Sequence, residues 1–120
     1  MCMKTALIIN DDETLRGYYK TVLDDMGLNV LISEDGAIGI KTLEENSDID
    51  LVILDLKEER NGRSQAYARL KDIKRIAKLL LISDAHDYSA DETIMNLGAE
   101  KILIKPFTLP VLSSTINELI

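Results

Sequence analysis

Cysteine and proline are scarce in this sequence and cations are outnumbered by acids, and each shortage narrows the possible functions. One cysteine is present, Cys2, so no intramolecular disulfide can form, nothing points to an oxidising compartment, and a cytoplasmic location is expected. The two prolines, Pro106 and Pro110, both fall near the end, and no linker, repeat or low-complexity tract divides the chain. Lysine and arginine total 14 against 21 acids, for a formal net charge of −7; bulk electrostatics therefore oppose direct binding to nucleic acid or to an anionic membrane. No apolar run approaches the ~20 residues that span a bilayer, and the N-terminus lacks the apolar stretch and small-residue cleavage site of a signal peptide. The 120 residues are expected to make one domain over 1–120, with proteins or small ligands as partners.

What is present is a regular alternation. Short apolar runs at Ala6–Ile9, Val30–Ile32, Leu51–Leu54, Leu79–Ile82 and Ile102–Ile104 are mostly apolar throughout, as in parallel strands covered on both faces. Between the first two, Leu15, Tyr18, Tyr19, Val22, Leu23 and Met26 recur at helical spacing, and Gly27 follows where a helix end favours positive φ. Asp35 is placed to cap a second helix using Ala37, Ile40 and Leu43, which Gly36 and Gly39 weaken. Ala66, Leu70, Ile73 and Ala77 form the stripe of a third helix, and Ser89 with Glu92 reads as a capping box opening a fourth. A fifth helix follows Thr108, with Pro110 in its first turn and Leu112, Thr115, Ile116 and Leu119 on one face. The order implies an α/β fold: a doubly wound, five-stranded parallel sheet with right-handed crossovers and helices on both faces.

The polar residues fall at the C-terminal ends of these strands: Asn10-Asp11-Asp12, Asp55, Ser83 and Lys105. A parallel sheet brings those ends to one edge, and open α/β sheets bind ligands outside it, where strand order reverses. In the flavodoxin-like order 2-1-3-4-5 the reversal lies between strands one and three, so Asp11, Asp12 and Asp55 would converge there. Clustered carboxylates repel unless a cation neutralises them, and a thiol-free oxygen set suits Mg²⁺ or Mn²⁺. A hydroxyl from Ser83 and an ammonium from Lys105 would complete a cradle for a phosphoryl group, with an aspartate as nucleophile. A carboxylate ending a four-residue apolar run, as Asp55 does, is costly unless paired or metal-bound.

With these features, the sequence resembles the receiver domains of two-component response regulators over nearly its whole length. The resemblance rests on the acidic cluster, on Leu51-Val52-Ile53-Leu54-Asp55, on Ser83 and on Lys105-Pro106-Phe107. It implies that Asp55 is the phosphoacceptor, that Ser83 and Lys105 contact the phosphoryl group, and that Asp11, Asp12, Asp55 and the Lys57 backbone carbonyl hold the metal. It implies a cis Lys105–Pro106 bond and a sensor histidine kinase or phosphotransfer protein as phosphoryl source. It also implies an output surface for a downstream protein, or for a homodimer, within 89–120.

Departures from the family pattern define a rival reading. Counting back from Gly27 puts Asn10 and Asp11 on the usual acidic pair, while a one-residue shift would put Asp11 and Asp12 there. The loop after Asp55 lacks a proline, Asp84 adds charge beside Ser83, and Ile102 stands where an aromatic is common. A phosphorylation-driven switch is therefore weighed against a pseudo-receiver, an interaction module that works without phosphorylation. A flavin carrier fits worse, because acids occupy the turn where a phosphate loop needs glycines or hydroxyls. For Asp12, helix capping stands level with metal binding. Tyr18 and Tyr19 read as packing, His86 as an exposed loop residue, and Lys71, Lys74, Arg75 and Lys78 as a solvated helix face.

Overall fold

A computed structural model describes residues 3–55, 77–84 and 100–120, with Ser83 and Asp84 described by their backbone alone. The expected third and fourth helices, His86, and the loop carrying Lys57 lie outside the described residues. Within them the order is β1 (Thr5–Asn10), α1 (Glu13–Asp25), β2 (Asn29–Ser33), α2 (Gly36–Glu45), β3 (Leu51–Asp55), β4 (Lys78–Asp84), β5 (Lys101–Lys105) and α3 (Leu109–Leu119). The strands form one sheet in the order β2-β1-β3-β4-β5, and every neighbouring pair is parallel. The α/β class and flavodoxin-like order expected from the apolar runs are both present.

Strand periodicity divides the core into two layers. Leu7 and Ile9 of β1 pack with Val52, Leu54, Leu79 and Leu81 and with Ile40 and Leu43 of α2. Ala6 and Ile8 point the other way, with Leu51, Ile53, Leu80 and Ile82, against Tyr19 and Leu23 of α1 and Leu112 and Ile116 of α3. This alternation explains why β1 and β3 read as continuous apolar runs: both faces are covered. The edge strands β2 and β5 are less enclosed, and Ile32 and Ile104 are exposed.

Local chemistry ends the helices where the sequence suggests. The Asp35 carboxylate accepts from the Ile38 amide at 2.8 Å, and the Thr108 hydroxyl accepts from the Val111 amide at 3.4 Å at the start of α3. Helix α1 closes on Gly27, at φ +80, with amides of Gly27 and Leu28 donating to carbonyls of Asp24 and Leu23. Leu28 and Leu23 share a core cluster across this turn. Gly39 weakens α2 in isolation but permits its packing: a Cβ there would stand 2.7 Å from Ile9 Cγ1. One expectation is corrected. Lys78 opens β4 rather than extending a helix face, its amide donating to the Asp50 carbonyl at 3.0 Å, although it is solvent-exposed as expected.

Candidate functional site

The site is built at the C-terminal edge of the sheet, between the two strands that flank the reversal of order. Asn10 and Asp55 end β1 and β3 side by side in the parallel register. Asp55 follows four buried apolar residues and is itself 2% exposed. A carboxylate so deeply placed needs strong partners, because it has given up most of its hydration.

Those partners come from three separate elements and meet on a single oxygen. Asp55 Oδ2 accepts from Lys105 Nζ at 2.9 Å, from the Tyr19 hydroxyl at 2.9 Å and from Asn10 Nδ2 at 3.1 Å. Lys105 ends β5 and reaches past β4 to do this. Its bond to Pro106 is cis, as the family resemblance implies. The ammonium supplies charge, and the other two donors supply dipoles in a setting with little water, where both are stronger than in solvent.

Asn10 is fixed on its other side too. Its Oδ1 accepts from the Asp12 amide at 2.6 Å, and its main-chain carbonyl accepts from Arg16 Nη1 at 2.8 Å. Because Oδ1 is claimed by a backbone N–H, the amide group turns Nδ2 toward Asp55. An aspartate at this position would present an acceptor to an acceptor. The asparagine thus removes a charge and adds a donor in one step.

Asp12 caps α1, with one carboxylate oxygen accepting from the Leu15 amide at 3.1 Å, so the capping role weighed from the sequence is present. Asp11, half-buried, turns its Oδ1 inward, away from solvent. Asp11 and Asp55 offer hard oxygen donors, of which Mg²⁺ takes one or two while keeping its remaining waters. Among the described residues no group of three or more His, Cys, Asp or Glu is arranged to hold a metal. Asp11 and Asp55 are the described carboxylates at this edge that could serve as such donors. Ser83 ends β4 opposite Ile104, and Asp84 stands opposite Lys105; both backbones reach the edge where the sequence reading put them. Their side chains, and the Lys57 carbonyl, lie outside the description.

Tyr19 is the residue the sequence reading left out of the site. Its place on the apolar stripe of α1 predicts packing, and it does pack, at 1% exposure, with its ring edge-on to Tyr18 at 5.8 Å. Its hydroxyl nevertheless ends on Asp55. Burial, and then the charge of the Asp55 carboxylate, push the Tyr19 hydroxyl well above the ordinary tyrosine pKa, so it remains protonated and donates.

The sequence pattern of the response regulator receiver domain matches residues 6–117. The chain belongs to that family. Among curated relatives, the transcriptional regulatory protein CpxR of Klebsiella pneumoniae is 28% identical over 106 residues, covering 88% of this chain and 44% of CpxR. Response regulator RR06 of Streptococcus pneumoniae is 29% identical over 118 residues, covering 95% and 52%. This receiver domain therefore spans about half the length of the curated relatives it matches. In three dimensions it resembles a response regulator receiver domain from Clostridium thermocellum, with TM-score 0.83, 29% identity and coverage of 98% and 94%. The chemotaxis response regulator CheY4 of Vibrio cholerae, at 21% identity, shares the fold with TM-score 0.84 and coverage of 99% and 100%.

Proposed function

We propose that this receiver domain accepts a phosphoryl group on Asp55 from a phosphohistidine-bearing sensor kinase or phosphotransfer protein, and that the modification alters its contacts with a downstream protein. The observation that carries this reading is the Asp55 carboxylate, buried at the end of β3 with the Lys105 ammonium 2.9 Å away. It is a nucleophile aimed at the binding edge, with a cation beside it to balance an incoming phosphoryl group.

A carboxylate oxygen of Asp55 attacks phosphorus, the bond from phosphorus to the donor breaks, and the electron pair of that bond leaves with the donor. Lys105 offsets the negative charge spread over the phosphoryl oxygens, and Ser83 is assigned the role of hydrogen-bond donor to one of them. Asp11 and Asp55 would hold Mg²⁺ or Mn²⁺ with the Lys57 carbonyl, and Asp12 is assigned a supporting part through the carboxylate that caps α1. The metal would supply charge neutralisation between the acidic side chains and the phosphoryl oxygens. Loss of the phosphoryl group reverses the bond changes, with water as the attacking group; the domain assists both steps without being an enzyme acting on a separate substrate.

Output is assigned to the region 89–120, of which the part described presents Ile104, Leu109 and Val111 to solvent. That face is suited to a protein partner or a second copy of the chain. Neither direct nucleic-acid binding nor membrane contact is assigned to this domain; among the described residues no helix is long and apolar enough to cross a bilayer. The location assigned is the cytoplasm.

One observation favours the alternative of a phosphorylation-independent interaction module. Asn10 and Tyr19 add two neutral donors to the ion pair on Asp55, an arrangement that settles the carboxylate without a metal. Intact mass after incubation with acetyl phosphate, with and without Mg²⁺, separates the two. A receiver gains one phosphoryl mass in the wild type with Mg²⁺ and none in Asp55→Asn; a folded wild type that never gains mass is the interaction module.

A further inference from the structure

The three donors on Asp55 Oδ2 approach from different sides. Asn10 and Lys105 sit at strand ends on the crevice edge. Tyr19 comes from the interior: its ring belongs to the core layer with Ile8, Leu23 and Ile53 and is 1% exposed. A side chain held by packing on that side cannot swing out to follow a phosphoryl group into the crevice. Its hydroxyl is held on the Asp55 carboxyl group itself.

From this geometry, and resting on the phosphoacceptor reading above, we propose that Tyr19 is a positioning residue that sets the lifetime of the phosphorylated state, holding Asp55 in its carboxylate form and hastening the return to it. In forming the acyl phosphate, an Asp55 oxygen bonds to phosphorus and the donor leaves with the electron pair of the broken bond. In losing it, a water oxygen bonds to phosphorus, the Asp55 O–P bond breaks and its electron pair returns to the carboxylate. Inorganic phosphate leaves and the surplus proton goes to solvent. Full carboxylate charge exists at the start of the first step and the end of the second. In the acyl phosphate the oxygen not bonded to phosphorus is a carbonyl, a weaker acceptor. The Tyr19 hydrogen bond therefore stabilises the unmodified state more than the modified one. The direction is the same whichever oxygen attacks: a bond to the attacking oxygen lowers its nucleophilicity, and a bond to the other lowers the energy of the departing carboxylate.

Tyr19→Phe removes the hydroxyl and keeps the ring that fills the core. Time courses of intact mass with acetyl phosphate and Mg²⁺, followed by donor removal, give rate constants for gain and loss. Hydrogen bonds to charged groups exceed those to neutral carbonyls by enough that the ratio of gain to loss should rise about 10-fold in the variant, through faster gain and slower loss. Tyr19→Leu, which also lacks the hydroxyl but differs in shape, should shift the ratio the same way. A merely structural role would not move the two rates in opposite directions. A normal wild type with an unchanged or lowered ratio in Tyr19→Phe overturns the role of Tyr19 and leaves the phosphoacceptor reading intact. If the wild type gains no mass, the phosphoacceptor reading itself falls and takes this one with it.

Discussion

The two edges of the sheet use the same residue type for opposite purposes. At the N-terminal edge, Asp50 and Glu100 spend their carboxylates on backbone: Asp50 Oδ2 accepts from the Thr5 amide at 2.9 Å, and Glu100 Oε2 from the Leu79 amide at 2.6 Å. Their own main chains complete the stitching, with Asp50 N–H donating to the Thr5 carbonyl at 2.8 Å and Glu100 N–H to the Leu79 carbonyl at 3.0 Å. At the C-terminal edge Asp55 Oδ2 accepts from side chains of α1, β1 and β5. A carboxylate that closes backbone donors cannot change its chemistry without opening the fold. One held by side chains from separate elements leaves the backbone ladder intact when it is modified, as proposed for Asp55. Acidity alone does not mark a site; the kind of donor that faces the acid does.

The largest test of this contrast is the same substitution at both edges. Asp55→Ala should abolish phosphoryl gain outright, because the nucleophile is gone, while Asp50→Ala should gain and lose the phosphoryl mass at wild-type rates. Intact-mass time courses on the pair decide it. A marked kinetic defect in Asp50→Ala would break the division between a structural edge and a chemical one.

Much of the fold was legible because it depends on local signals: apolar runs for strands, Asp35 and Thr108 for helix starts, Gly27 for a helix end. Gly39 was misweighed for a physical reason. Helix propensity sees its missing side chain as a loss, whereas the packing of α2 on Ile9 requires that absence. In the site, Asp55 and Lys105 could be placed because strand ends of a parallel sheet share one edge. Asn10 could be placed but not oriented, since its donor direction depends on the Asp12 amide. Tyr19 was hidden on the apolar stripe of α1, between Leu15 and Leu23 at four-residue spacing. A signal was available. A tyrosine in the middle of a buried stripe must find a partner for its hydroxyl, and the acid ending the central strand was a candidate.

The structural role of the N-terminal edge gives the next effect in size. Asp50→Ala leaves the Thr5 amide, at the start of the buried strand β1, without its carboxylate. Loss of a hydrogen bond to a charged group, with a partly buried donor left behind, costs about 1–3 kcal/mol. For a domain of this size, each 1 kcal/mol lowers the melting temperature by roughly 3–6 °C. Thermal unfolding of wild type and variant measures it, and a melting temperature within a degree of wild type would show that the Asp50 carboxylate is not a stabilising element of that edge.

The smallest effect lies on the alkaline side and sharpens the reading of Tyr19. Its folded-state pKa is raised, first by burial and then by the Asp55 charge. The hydroxyl therefore adds no pH dependence to stability below the ordinary tyrosine value of about 10, where folded and unfolded chains are both protonated. Above it the unfolded chain releases this proton and the folded chain keeps it, so stability falls as pH climbs toward the folded value. One proton held only by the folded state corresponds to a slope of about 1.4 kcal/mol per pH unit. Denaturant unfolding between about pH 10 and 11.5, in chelator to keep the acidic site metal-free, should show a steeper decline for wild type than for Tyr19→Phe, which has no proton to release there. Ionisations common to both proteins cancel in the difference. Parallel curves would mean that Tyr19 ionises with equal ease in the folded and unfolded chains, which a hydroxyl enclosed in the core and bonded to a carboxylate does not do.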